Sequence, residues 1–151
     1  VKLRALVGSG HKIGAVVLPV LVVGLALDVA FPDAFDVGGP APALAALSAV
    51  VLAGGLVVWA WSVALILTKV PRGELITGGP YAVVKHPLYT SVALLVLPWL
   101  GFLLDTWLGV VLGAALYLGT RVYAPDEERE LAATFGQAWD DYCAAVKLSW
   151  L

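Results

Sequence analysis

The chain has 151 residues, 61% hydrophobic and only 13% charged, with a net charge of −2. A soluble domain carries about a quarter charged residues, so a mean hydropathy of +0.93 points to one small membrane domain and gives no footing for nucleic-acid binding. The single cysteine, Cys143, excludes an internal disulfide and a cysteine-based metal site.

Four stretches, about residues 13–31, 43–67, 88–104 and 106–123, approach the ~20 apolar residues that cross a hydrocarbon core of about 30 Å. They predict an all-α, polytopic membrane protein. The first stretch follows Lys2, Arg4 and Lys12 as a signal peptide would. It outruns a typical ~7–15-residue apolar region and lacks a small-residue cleavage pattern, so it reads as a retained span. Residues 31–42 form a turn rich in breakers, with Pro32, Asp33, Gly38 and Gly39. In the second stretch Ala46, Ser48, Ala53, Gly54 and Gly55 admit a close helix, while Trp59 and Trp61 suit a membrane interface.

Residues 68–87 are longer than a minimal link and are punctuated by Pro71-Arg72-Gly73 and Gly78-Gly79-Pro80. Loops of that kind are often functional. Pro98 predicts a kink in the third span. After the fourth, Pro125-Asp126 reads as a helix start, with proline and acids suited to a first turn. Leu131, Phe135, Trp139, Tyr142 and Val146 then share one face of an amphipathic helix lying at the cytoplasmic side. Gly136 sits within it, to admit a neighbour or break the helix.

Charge fixes an expected orientation. All nine Lys and Arg fall before the first span, between the second and third, or at the end of the fourth (Arg121) and after it. The other two connections carry only Asp28, Asp33 and Asp36, and then Asp105. Lys and Arg favour the cytoplasmic side, which predicts both termini and the central loop there, in the cell membrane.

Two polar segments on that side, residues 78–91 and 126–142, carry the chemistry. The first reads Gly79-Pro80-Tyr81-x-x-Val84-Lys85-His86-Pro87-x-Tyr89, and the second Glu127-Glu128-x-x-Leu131-x-x-x-Phe135-Gly136-x-x-Trp139-x-x-Tyr142. Taken singly, His86 could simply shape a helix entry, and the glutamates could be solvated first-turn charges. Together, in this order and spacing, they resemble the integral-membrane methyltransferases, which include the isoprenylcysteine carboxyl methyltransferases and the phospholipid methyltransferases. The resemblance covers about residues 75–146. It departs from the family pattern at Lys85 for arginine, Ser91 for glycine and Trp139 for tyrosine. Tyr123 stands where prenylcysteine enzymes carry arginine, with Arg121 two residues away.

The resemblance implies S-adenosylmethionine as cofactor and a lipophilic acceptor entering from the bilayer. It implies cofactor contacts from Gly79, Pro80, Tyr81, Val84, Lys85, His86, Pro87, Tyr89, Glu127 and Glu128, and catalytic roles for Glu127, Glu128 and Arg121. The residue types suit that ligand. A histidine can donate to its carboxylate, a glutamate can accept from its ammonium or ribose, and tyrosine faces attract its cation. Neighbouring helical residues lie about 100° apart, so Glu127 and Glu128 are expected to face different partners. The rival readings are a membrane reductase of the sterol type using NADPH, and a non-enzymatic lipid-binding bundle. Leu88 and Ser91-Val92 depart from the reductase pattern.

Overall fold

The computed structural model describes residues 10–39 and 41–149. Helix α1 is Gly10–Ala30, the single turn α2 is Pro32–Phe35, and α3 is Pro42–Lys69, tightening into a 3₁₀ turn at Val70–Arg72. A second 3₁₀ turn, Gly79–Ala82, precedes α4 at Pro87–Leu103. The long α5 is Leu108–Phe135 and the short α6 is Gln137–Ala145. Among the described residues the architecture is all-helical, with two isolated β-bridges and no strand.

Three helices, α1, α3 with its 3₁₀ turn, and α5, are long and apolar enough to cross a membrane. The third expected span is the shorter α4, about 25 Å at 1.5 Å per residue. Its expected irregularity takes the form of a π turn at Val92–Val96, just ahead of Pro98. Proline cannot donate to the carbonyl four residues back, and a wider turn absorbs the mismatch.

The chain from residue 106 onward departs from expectation. No helix begins at Pro125-Asp126: α5 runs through Pro125 and stops only at Phe135, and its length of about 42 Å is more than a bilayer core of about 30 Å needs. Sequence made Pro125 a boundary because proline is favoured in a first turn, but neighbouring helices can hold a proline inside a long membrane helix. The break comes instead at Gly136, whose φ of 53° and ψ of −125° suit only glycine. The expected amphipathic helix is thus divided between the end of α5 and α6. Its apolar face survives the division, with Leu131, Phe135, Trp139, Tyr142 and Val146 all in one cluster that also takes in Leu75.

Helix α5 packs on α1 and α4, and α4 in turn packs on α3. The α4–α5 contact is backbone to backbone: a Cβ on Gly109 would stand 2.1 Å from the Leu97 carbonyl oxygen. Small residues allow this approach, which is how helices associate where no hydrophobic effect drives them. Ile13, Ala93 and Leu116 form the buried centre. Outward, Leu18, Val22 and Val29 of α1 and Val50 and Val57 of α3 are exposed.

The two acid-bearing connections meet at one end of the bundle. Thr106 donates to Asp28 at 2.8 Å, the Gly39 amide donates to Asp105 at 3.0 Å, and Asp36 bridges Thr106. The opposite end carries Lys12 paired with Asp126 at 3.0 Å, and the Lys85–Glu128 pair. The segregation of charge read from sequence is therefore a segregation in space.

Candidate functional site

His86 owes its position to Pro87. A residue before proline is pushed out of helical conformation, and proline is well suited to the first turn. His86 accordingly caps α4 with φ of −123°, and Pro87 is fully buried beneath it. The imidazole then points across to α5, where its Nε2 lies 3.0 Å from Glu128 Oε1. Lys85 reaches the same carboxylate at 2.8 Å. The three side chains retain only 16% (Lys85), 10% (His86) and 26% (Glu128) of their exposure. Two motif segments 42 residues apart are joined by one carboxylate.

A cavity of about 250 Å³ opens on one side of this junction. Tyr81, Lys85, His86 and Tyr89 line it from the first motif, and Glu127, Leu131, Phe135, Trp139 and Tyr142 from the second. Glu74 and Glu130 add two further acids, and Ile66, Val70 and Leu88 add apolar wall. Lys69 is paired with Glu74, beside the cavity rather than in it.

The floor is stiffened from below. Tyr142 Oη donates to the Tyr81 carbonyl at 2.9 Å, and the Leu148 amide donates to the Val83 carbonyl at 2.8 Å. Burial pushes the Tyr81 and Tyr142 hydroxyls above their ordinary range, with the Glu127 charge adding to the effect at Tyr81. Both rings are therefore neutral surfaces and hydrogen-bond donors, with no part as bases.

Several expected contacts fall elsewhere. Gly79, Pro80, Val84 and Pro87 do not line the cavity. Gly79 turns at φ of +63° against the Trp61 ring, Pro80 and Pro87 are buried, and Val84 bridges Leu148. These four shape the loop that carries Tyr81 and His86. Glu127 and Glu128 diverge as their helical spacing requires: Glu127 lines this cavity, while Glu128 faces a second one of about 300 Å³. Arg121 lines the second cavity with Thr90, Tyr117 and Thr120, and not the cavity of Glu127.

Sequence reasoning missed Glu74 and Glu130 in the first cavity, and Thr90 and Thr120 in the second. Glu74 carried a signal, being the one acid in a connection otherwise basic. The threonines carried none, since neither stands at a position that the two motifs specify.

No protein-family model, curated protein or solved structure matches the chain.

Proposed function

We propose that the protein is an integral-membrane methyltransferase that uses S-adenosylmethionine to methylate a lipophilic acceptor. The observation that carries this reading is the convergence of two spaced motifs on one cavity. Either motif alone would be weak support; their meeting through Glu128 and around a common space is what the proposed chemistry requires.

The residues suit that ligand in type and sign. Three carboxylates, Glu74, Glu127 and Glu130, border the cavity, and S-adenosylmethionine carries an ammonium and a sulfonium against one carboxylate. Glu127 would take the ammonium or a ribose hydroxyl. With Nε2 engaged by Glu128, His86 would offer Nδ1 to the ligand, and Lys85 beside it would favour the ligand's carboxylate. Tyr81 and Tyr89 would supply faces for the adenine or the cation. When bound, the cofactor supplies an electrophilic methyl group. The chain's part is then to hold the acceptor's nucleophile in line and exclude water. The apolar wall of Ile66, Val70 and Leu88 suits an acceptor arriving sideways from lipid.

The reading includes four crossings, α4 among them, with both ends of the bundle's chain on the cytoplasmic side. Exposed apolar faces on α1 and α3 support immersion in lipid, and the collection of basic residues at one end supports the orientation. The acids along the cavity disfavour the polyphosphate of NADPH, which is why the reductase is not retained.

The test uses the purified protein in lipid nanodiscs. Labelled S-adenosylmethionine should bind saturably, NADPH should not compete, and label should pass into a lipid from a total extract. Failure to bind S-adenosylmethionine would remove the proposal, and displacement by NADPH would replace it with the reductase.

A further inference from the structure

The segment after α5 joins it through a single glycine. Gly136 turns there at φ of 53° and ψ of −125°, and a Cβ on it would meet nothing within 4 Å. Such a joint can swing without dislodging a neighbour. Beyond it, α6 lays Trp139 and Tyr142 along the first cavity, and both are buried. The segment is then fastened to a loop rather than to a spanning helix. Tyr142 Oη donates to the Tyr81 carbonyl at 2.9 Å, the Lys147 amide to the Ala82 carbonyl at 3.4 Å and the Leu148 amide to the Val83 carbonyl at 2.8 Å. These three carbonyls are consecutive, and Lys85 and His86 follow directly after Val84.

We infer that residues 137–149 form a strap that opens about Gly136 to admit the ligand of the first cavity and closes over it, with Tyr142 as its catch. Apart from the strap and the loop of residues 74–81, the walls of this cavity belong to α3 with its 3₁₀ turn, α4 and α5. Those helices are fixed by the bundle, so a charged ligand arriving from water passes between the loop and the strap. At about 250 Å³ the cavity is also smaller than the ~300–1,000 Å³ of clefts that hold small ligands, as a closed strap would leave it. Attachments of this kind, a few hydrogen bonds and one small apolar cluster, open locally while the rest of a fold stays shut. Closure does more than cover the ligand. The strap grips the loop just ahead of Lys85 and His86, so closing it also sets the first motif. The inference rests on the methyltransferase reading only for the identity of the ligand.

Deuterium exchange on the full chain in nanodiscs reads the strap before any ligand is added. Tyr142→Phe keeps the ring and removes one catch. It should speed exchange of the 143–149 peptide, which holds the Leu148 amide, at least fivefold, because the attachments let go together; an end that only frays would not respond. Adding S-adenosylmethionine to the parent should slow the same peptide. Val84 and Leu148 are paired across a β-bridge, and residues so paired stand about 5 Å apart, within reach of a disulfide. With Val84→Cys and Leu148→Cys in a Cys143→Ser background, oxidation should slow S-adenosylmethionine association at least tenfold, and reduction should restore it. Tyr142→Phe should speed association as well as release, whereas damage to a rigid wall speeds release alone. Exchange that Tyr142→Phe leaves unchanged, or association that the disulfide leaves unchanged, overturns the strap. Opening that Tyr142→Phe accelerates, in a protein that binds no S-adenosylmethionine, supports the strap and removes the methyltransferase reading instead.

Discussion

Glu128→Gln separates a positioning carboxylate from a binding one. The substitution keeps size and hydrogen-bonding capacity while removing the charge shared by Lys85 at 2.8 Å and His86 at 3.0 Å. Exposed ion pairs contribute about 0.2–1 kcal/mol, and breaking a buried one costs about 3–5 kcal/mol. These side chains, at 10–26% exposure, fall between the limits. We expect a loss of about 2 kcal/mol in unfolding free energy, measured by denaturant titration in mixed micelles. Glu127→Gln should behave differently. Glu127 lines the first cavity, and Glu128 is the one that His86 meets, so the Glu127 variant should lower S-adenosylmethionine affinity at least tenfold.

The reasoning can be pressed further with a cycle. If Glu128 acts by holding His86, the effects of Glu128→Gln and His86→Ala on cofactor binding should overlap. Their sum would then exceed the double mutant's loss by about 1 kcal/mol or more. Strict additivity, or a Glu128→Gln protein as stable as the parent, would refute the junction as the element that joins the two motifs.

His86→Ala should leave the helices folded by circular dichroism and weaken S-adenosylmethionine binding at least tenfold in calorimetric titration, about 1.4 kcal/mol. Single cysteines at Asp36 and Gly78, introduced in a Cys143→Ser background, should label from opposite sides of sealed vesicles; labelling from one side would sink the four-span topology. Gly109→Val should destabilise the bundle by about 2 kcal/mol or more, because its side chain meets the Leu97 carbonyl and the α4 backbone must move. Pro125→Ala should stabilise α5 by about 1–3 kcal/mol, since the proline sits in a helix interior; a neutral result would instead suit the first-turn position that its sequence context suggested.

Helix content and the segregation of charge were legible because each rests on many residues at once. A run of apolar side chains long enough to cross a bilayer leaves few alternatives, and connections that carry either acids alone or most of the cations mark the two ends of the bundle. Boundaries were not legible where one residue type has two uses. Proline starts helices and also kinks them, and Pro125 proved to be inside α5 while Pro87 begins α4. Gly136 was readable as either a close-contact point or a break, and its φ of 53° makes it the break. The close approach of Gly109 to Leu97 was not readable, since glycines are common throughout this chain and only the partner backbone distinguishes that one.

The site divides along the same line. Helical spacing alone separated Glu127 from Glu128, and the structure turns them toward different cavities. Which glutamate met His86 depended on how α4 and α5 rotate against each other, and that rotation is set by the small residues at their contact, several turns away. A motif spelled in two segments specifies the residues but not the phase between them. Here the phase follows from Ala93, Leu97 and Gly101 seating against Gly109 and Gly113. A bulky residue there would rotate α5 and carry Glu128 off His86 without touching either one. The packing far from the cavity is thus part of the site: it decides which of two adjacent acids meets His86.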